Sequence, residues 1–492
     1  MKALQDRSDE QTVVTIRLAG ELATKTPGIR RQFHRRLVHN LRDALERRGV
    51  DADIKDRWHR LDVLTSQEEA AEIASRVFGV QGARLAKSYR WESPEEIVAL
   101  GERQFHEEVP GKTFAVRTRR TGHRDQYGFD SMEIDRRLGS RLVEAGGSVD
   151  LDDHQVRVGV EVRPERVFFF AEEQPGAAGL PCGVEGRALG LMSGGFDSAV
   201  AIWQMMRRGV DMDFLFFNLA GPPQLRAVQE VSQLLCRRWA HGYAPRLHVV
   251  DLRPMLAEMR HHSDGKYWQL LLKRLMVRAG AQIAREKRYP ALVTGESCGQ
   301  VSSQTLKNMA AVGASVPVVV FRPLVGMNKE EIIERAKAIG TYDRCRRVPE
   351  FCALDGGPPV VEAWPEELDE QEERLDSELL SRLVKDRREE PILDMAIDED
   401  PQVEIDRIPE GAVVMDLRSE EAFERWSVDG AINMPLERAV DQVGLLPKEG
   451  IYLFYCEVGL KSAYLAEAMS AMGYDAYSFR GGTGRLKKWV NR

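Results

Sequence analysis

Apolar positions repeat with two different periods along the 492-residue chain, and the switches between periods outline its elements. Alternation over 13–18 and 60–64 predicts strands, whereas Phe33, Leu37, Leu41 and Leu45 recur at every fourth position and form one helical stripe with the intervening arginines facing outward. A helix over 67–77, closed by Gly79, completes a small α+β unit. A second α+β module runs from about 80 to 172, with a strand over 112–120 that buries Phe114 and Val116, a helix over 131–144, and strands over 156–162 and 167–171. The Pro- and Gly-rich stretch 175–183 reads as a linker. Beyond it, strands over 188–192, 214–218, 247–251 and 291–294 alternate with helices over 199–208, 225–239, 268–286 and 329–339. That alternation predicts a doubly wound parallel sheet, which binds ligands at the carboxyl ends of its strands. A last pattern has strands at 413–417 and 451–456 and a helix at 463–472, a further small α/β domain.

Charge changes this picture in two places. The net charge is −7, yet 16 acidic and only 5 basic residues lie between Glu362 and Asp400, so the remainder is net basic. That acidic stretch reads as a solvated helix or tether. Arg17 to Arg48 holds nine basic against three acidic residues, and Lys112 to Arg124 holds five basic residues and no acid. Arg30, Arg31, Arg35 and Arg36 in the first patch, with Arg117, Arg119, Arg120 and Arg124 in the second, suit the tracking of RNA phosphates by shape. No stretch approaches the roughly 20 apolar residues of a membrane span, and the first residues lack an apolar signal region. A cytoplasmic protein with no membrane partner is expected. The six cysteines are too few for a disulfide scaffold and none sits in a CxxC pair, and His261-His262 has no further ligand group at metal spacing, so no metal site is expected.

Two loops carry the candidate chemistry. Ser193-Gly-Gly-Phe-Asp-Ser198 follows the strand 188–192 and opens the helix 199–208. Gly194 and Gly195 let the backbone fold closely round a polyanion, Ser193 and Ser198 add hydroxyl donors, and the helix start turns N–H groups and its positive dipole end toward phosphate. The Gly-Lys-Ser/Thr of a P-loop is absent, so the layout points to pyrophosphate binding and to ATP cleavage between the α and β phosphates. In the other loop, Cys456 ends an apolar strand and Glu457-Val-Gly-Leu-Lys-Ser462 leads into a helix. Backbone N–H groups at a helix start favour an anion there and stabilise a terminal persulfide.

The first loop resembles that of the PP-loop pyrophosphatases, which adenylate a substrate oxygen. The second, together with Asp416-Leu-Arg418, Gly430-Ala-Ile-Asn-Met-Pro435 and the closing Phe479-Arg-Gly-Gly-Thr-Gly-Arg-Leu-Lys-Lys-Trp489, resembles a rhodanese domain. Lys112-Thr-Phe-Ala-Val-Arg-Thr-Arg-Arg120 continuing to Phe129-Asp-Ser-Met-Glu-Ile-Asp-Arg-Arg-Leu-Gly139 resembles a THUMP domain. Thr294-Gly-Glu-Ser-Cys-Gly-Gln-Val-Ser-Ser-Gln-Thr-Leu306 and Lys273-Arg-Leu-Met-Val-Arg278 are similar to further blocks of the tRNA 4-thiouridine synthetase family, tRNA sulfurtransferases that also serve thiamine thiazole synthesis. The likeness spans nearly the whole chain. It implies a multidomain α+β and α/β fold: an N-terminal ferredoxin-like domain over 1–65, a THUMP domain over 66–173, a PP-loop domain over 174–358, an acidic linker over 359–402 and a rhodanese domain over 403–492.

The resemblance also implies roles. Leu191, Met192, Lys273, Gly295 and Gln304 match positions that hold the nucleotide. Asp197 matches a required aspartate, which would hold Mg2+ or position the adenylated oxygen, or cap the following helix. Lys329 matches a lysine needed for thiolation, although a solvated helix-start lysine reads the same way. Cys456 matches the persulfide carrier and Cys352 the second thiol, which forms a disulfide with it. Cys345, seven residues before Cys352 and flanked by Arg344 and Arg346-Arg347, stands as the alternative resolving thiol. ATP and Mg2+ are the implied cofactors, and tRNA, a cysteine desulfurase and the thiazole sulfur-carrier protein the implied partners. A rhodanese-type sulfur relay for thiazole synthesis only is the competing reading. A PP-loop amidating enzyme would have no need of Cys456.

Overall fold

The computed structural model describes residues 9–57, 60–122, 126–219, 222–348, 360–397, 403–457 and 459–490. The chain divides into two compact units, one holding residues up to Glu185 with Arg207–Gly209 and His241–Tyr243, the other holding the rest.

The first unit contains β1 (Gln11–Leu18), β2 (Asp53–Asp56), β3 (Arg60–Leu64), β4 (Val80–Arg90), β5 (Thr113–Arg120), β6 (Ser148–Val149), β7 (Val156–Val162), β8 (Arg166–Phe170) and β9 (Gln174–Pro175). They form one sheet in the order β2-β3-β1-β4-β8-β7-β5-β6, with β9 also paired to β4. Helix Pro27–Glu46 buries Phe33, Leu37, Leu41 and Leu45, the predicted stripe, against Val14, Ile16, Leu61 and Val63. Each such side chain contributes roughly 1.5–3 kcal/mol. Ala70, Ala74, Val80 and Ala83 enter the same core, so the helix within 67–77 packs with the first module, where the apolar pattern placed it, and that core runs on into the start of β4. β4 pairs with β1 on one side and β8 on the other and is shared by both modules. Ile97, Phe105, Phe114, Ile134, Leu138 and Val158 build the second core, under helices Pro94–Phe105 and Ser131–Glu144.

The second unit opens with β10 (Arg187–Leu191), β11 (Asp211–Asn218), β12 (Arg246–Asp251), β13 (Ala291–Val293) and β14 (Val319–Phe321), all parallel to their neighbours in the order β14-β13-β10-β11-β12. This is the expected doubly wound sheet. Its far edge is β15 (Arg388–Pro391), antiparallel to β12 and drawn from the acidic stretch. That stretch is therefore not a tether over its described residues 360–397. Leu375, Leu380 and Val384 join the core with Leu271 and Leu275. Arg274 bonds Asp369 and Glu372, and Arg278 bonds Glu372, so distant arginines neutralise the carboxylates that make the segment look solvated.

The same unit ends in a second parallel sheet, β16 (Glu404–Ile405), β17 (Val413–Asp416), β18 (Ile432–Asn433), β19 (Ile451–Tyr455) and β20 (Asp475–Phe479), in the order β16-β20-β19-β17-β18. Its core includes Met415, Phe454, Leu465 and Ala466. At the end of β17, Asp416 is fully buried and accepts from Arg418 Nε at 2.9 Å and Nη2 at 2.6 Å. Arg418→Ala would strand that carboxylate, and a loss of about 3–5 kcal/mol from this domain is expected in calorimetric unfolding. A loss below about 1 kcal/mol would show that water replaces the guanidinium. Among the described residues no helix is long and apolar enough to cross a membrane.

Candidate nucleotide and persulfide sites

The chain leaves β10 at Leu191 and turns through Met192 to Gly195 into helix Phe196–Arg207, which starts three residues earlier than the sequence pattern and so carries Asp197 in its first turn. Gly194 has φ +85°, and a Cβ there would also press on Val228 and Val348 at 3.1 and 3.2 Å. Ser198 is buried and spent on the shape of the loop, accepting from Ser193 N at 3.2 Å and donating to Gly195 O at 3.0 Å. Ser193 is exposed, and its hydroxyl donates to Ser198 Oγ at 3.2 Å and accepts from Gly195 N at 3.4 Å. Met192 is buried beneath it and Leu191 is half-buried.

Gly295, just past β13, lies against the start of that helix. A Cβ on it would fall 2.7 Å from Asp197 C and Ser198 N, so only glycine lets the two strand ends meet. The neighbouring Glu296 accepts from Arg322 Nε at 2.8 Å and faces Lys273 Nζ at 3.5 Å. Burial alone would raise the Glu296 pKa, but Lys273 and Arg322 outweigh it and hold the carboxyl below its ordinary value. Gln304 closes the turn Ser302–Gln304 with its Oε1 buried and unbonded among the described residues.

Asp197 is the centre of this cluster. Lys329 Nζ donates to its Oδ1 at 2.9 Å and Oδ2 at 3.2 Å, and Gln300 Nε2 donates to Oδ2 at 3.0 Å. Lys329 is thus not a free helix-start lysine. It also lies 5.7 Å from the Phe196 ring centroid, and that ring stacks on Tyr342 at 5.4 Å. Gln300 lies in a block singled out from sequence but received no role there, because nothing local shows that its amide reaches the loop carboxylate.

Cys345 is 2% exposed at the end of the short helix Tyr342–Cys345. Burial, with the nearby Asp197 charge adding to it, pushes its thiol up to about 12. The flanking charges expected to activate it point elsewhere, Arg344 to Glu230 at 2.9 Å and Arg346 to Asp343 at 3.9 Å. Cys352 lies outside the described residues. Cys182 and Cys236 are buried and Cys298 is exposed.

Cys456 follows β19 and is 1% exposed, with Sγ 3.6 Å from Ser462 Oγ in the first turn of helix Leu460–Ala471. Ser478 Oγ donates to Ser462 Oγ at 2.8 Å, which fixes that hydroxyl. Thr483 N donates to Cys456 O at 3.0 Å, and Gly482, at φ +63°, has no room for a Cβ between the carbonyls of Cys456 and Glu457. Helix Leu460–Ala471 packs on helix Pro222–Trp239 of the doubly wound domain, where Arg226 Nη1 donates to Glu467 Oε2 at 2.9 Å. The thiol-bearing domain is docked on the nucleotide-type domain by the helix that begins at its own cysteine loop.

The chain matches the family described as Thiamine biosynthesis protein (ThiI) over residues 183–377, the THUMP domain over 92–172, the ThiI ferredoxin-like domain over 13–83 and the rhodanese-like domain over 401–490. It is 36% identical to a tRNA sulfurtransferase of Pyrobaculum aerophilum over 95% of this chain and 96% of that protein. The chain belongs to the tRNA sulfurtransferase family. A tRNA sulfurtransferase of Aeromonas hydrophila subsp. hydrophila is 31% identical over 93% of this chain and 98% of its own. A 4-thiouridine synthetase solved as an RNA complex with bound ATP superposes with a TM-score of 0.67 at 27% identity, covering 77% of this chain and 99% of that one. As a member of this family the chain is a sulfurtransferase enzyme with ferredoxin-like, THUMP, PP-loop and rhodanese domains.

In this family member the arginines singled out from sequence differ in freedom. Arg31, Arg35 and Arg119 are exposed, Arg117 is exposed but donates through Nη2 to Leu151 O at 2.8 Å, and Arg30 is half-buried. Arg36 donates through Nε to Cys182 O at 2.6 Å, and Arg120 donates to Phe129 O while lying over the Tyr127 and Phe129 rings. Those two arginines shape the fold. Arg124 lies outside the described residues.

Proposed function

We propose that this tRNA sulfurtransferase converts uridine 8 of tRNA to 4-thiouridine, with ATP activating the base and Cys456 carrying the sulfur. The observation that carries the reading is Asp197, held by Lys329 at the mouth of a glycine turn, in the same compact unit as a loop cysteine at a helix start. The residues present fit ATP: Gly194 and Gly295 keep side chains out of the turn, Ser193 is exposed, and Gln304 holds an amide oxygen without a partner among the described residues. Leu191 and Met192 would flank the nucleotide and Lys273 would add positive charge near its phosphates. Mg2+ would arrive with the phosphates, and Asp197 is the carboxylate at the turn that would meet it.

Uridine O4 attacks the α-phosphorus of ATP, pyrophosphate leaves, and the base becomes an O4-adenylate. The terminal sulfur of a Cys456 persulfide, loaded by a cysteine desulfurase, attacks C4, and AMP leaves with the oxygen. The Cys352 thiolate then attacks Cys456 Sγ, the Sγ–S bond breaks to release the thiocarbonyl, and the resulting disulfide awaits an external thiol reductant. Because Cys456 is 1% exposed, loading it requires its loop to open. A second use of the same persulfide is delivery to the thiazole sulfur-carrier protein, a relay that needs only the last sheet, which has its own core. Removing residues 1–400 should spare that relay and end tRNA thiolation.

The exposed arginines of the first unit bind the tRNA backbone by charge. Reversing Arg31 and Arg119 to Glu is expected to raise KM for tRNA about tenfold, leave kcat within about twofold, and flatten the salt dependence of binding. An unchanged KM would move the RNA contact elsewhere. The reading as a whole is tested by nucleoside mass spectrometry of tRNA incubated with the purified chain, ATP, desulfurase and cysteine, where 4-thiouridine is expected only with ATP present.

A further inference from the structure

We propose that Gln300 is a positioning residue that, opposite Lys329, fixes the carboxylate of Asp197 for the ATP-dependent step; this rests on the reading of the Ser193–Ser198 turn as the site of ATP cleavage. A carboxylate only accepts hydrogen bonds, so the Gln300 group 3.0 Å from Asp197 Oδ2 is the amide nitrogen and the orientation of the side chain follows. Its Oε1 is then buried with no bond among the described residues. Such a group is costly, and this orientation is kept because its other end holds Asp197.

The backbone around Gln300 is anchored independently of Asp197. Ser297 Oγ donates to Met327 O at 2.7 Å, Cys298 N to Val325 O at 3.1 Å and Gly299 N to Gln304 O at 2.8 Å. Lys329 arrives from another segment, at the start of helix Lys329–Ile339, where Asn328 and Glu331 form a reciprocal cap that fixes its backbone. Two fixed segments therefore hold one carboxylate between them, one by charge and direction and one by direction alone. The neutrality of Gln300 matters. Lys329 already balances Asp197, so a neutral amide leaves that balance intact, whereas an anion at this position would leave the cluster negative beside a polyphosphate.

Gln300→Leu removes the donor, and Gln300→Glu sets a carboxylate against Asp197. Leu is expected to lower kcat for thiolation roughly tenfold to a hundredfold while KM and the equilibrium Kd for ATP stay within about twofold. Glu is expected to lower kcat further than Leu, although the thermal unfolding midpoints of the two variants agree. Persulfide loading of Cys456 is expected to be normal in both. A raised ATP Kd with unchanged kcat would make Gln300 a nucleotide contact and overturn the proposal. Equal losses in both variants that follow a drop in unfolding midpoint would reduce it to scaffold, with the same consequence. Asp197→Ala measured in parallel separates the two levels: retained thiolation there overturns the underlying reading, whereas an inactive Asp197→Ala beside fully active Gln300 variants overturns this proposal alone.

Discussion

Replacing Asp197 by Ala is expected to abolish ATP-dependent thiolation, lowering kcat at least about a thousandfold, while Cys456 still accepts sulfur. The carboxylate is where the cluster converges: Lys329 and Gln300 both donate to it, and both lose their partner when it goes. An unpaired ammonium would then face the helix start beside the glycine turn, where neither the nucleotide nor the base oxygen is held in line. The persulfide domain should be indifferent, because its sheet and core involve neither Asp197 nor Lys329. Intact-protein mass spectrometry reads the persulfide and nucleoside mass spectrometry reads the product. Normal 4-thiouridine formation by Asp197→Ala would remove the turn from the mechanism.

A second large effect separates the two thiols that compete for the resolving role. Cys352→Ser is expected to accept sulfur and then stall, with multiple-turnover kcat down at least about a hundredfold, whereas Cys345→Ser should stay within about threefold of the unaltered chain. The attacking species is the thiolate. At 2% exposure, with burial and Asp197 pushing its thiol up to about 12, Cys345 is held as the thiol at neutral pH. A single turnover without reductant should leave a Cys352–Cys456 disulfide in a peptide map. Stalling of Cys345→Ser with normal turnover of Cys352→Ser would hand the role to Cys345.

What could be read ahead of the structure followed from local physics. The stripe Phe33, Leu37, Leu41 and Leu45 marked its helix because burial at a fixed period leaves a record in any window of the chain. The glycine turn after β10 and the cysteine after β19 were visible for the same reason, since strand, loop and helix succeed one another in sequence. β4 was not. Arg84, Lys87 and Arg90 break its alternation, and the carboxylates that make them tolerable in the sheet come from distant segments, Glu173 at 2.8 Å from Arg84, Glu10 at 3.1 Å from Lys87 and Asp9 at 3.6 Å from Arg90. The acidic stretch misled for a related reason: its carboxylates look solvated until Arg274 and Arg278 are brought beside them. Within the site, sequence brought Asp197 and Lys329 to notice separately, but their contact, the Gln300 bond and the burial of Cys345 depend on how strand ends converge.

The most direct measurement follows one sulfur atom. Cys456 is loaded with a heavy isotope of sulfur, the donor is removed, and tRNA is added with ATP or with an ATP analogue that resists cleavage between the α and β phosphates. Heavy 4-thiouridine at uridine 8 is expected with ATP only, accompanied by an equal amount of AMP and by loss of the label from Cys456. Label that remains on Cys456 while the tRNA gains unlabelled sulfur, or heavy 4-thiouridine formed equally with the analogue, would contradict the coupling of ATP cleavage to sulfur transfer from Cys456.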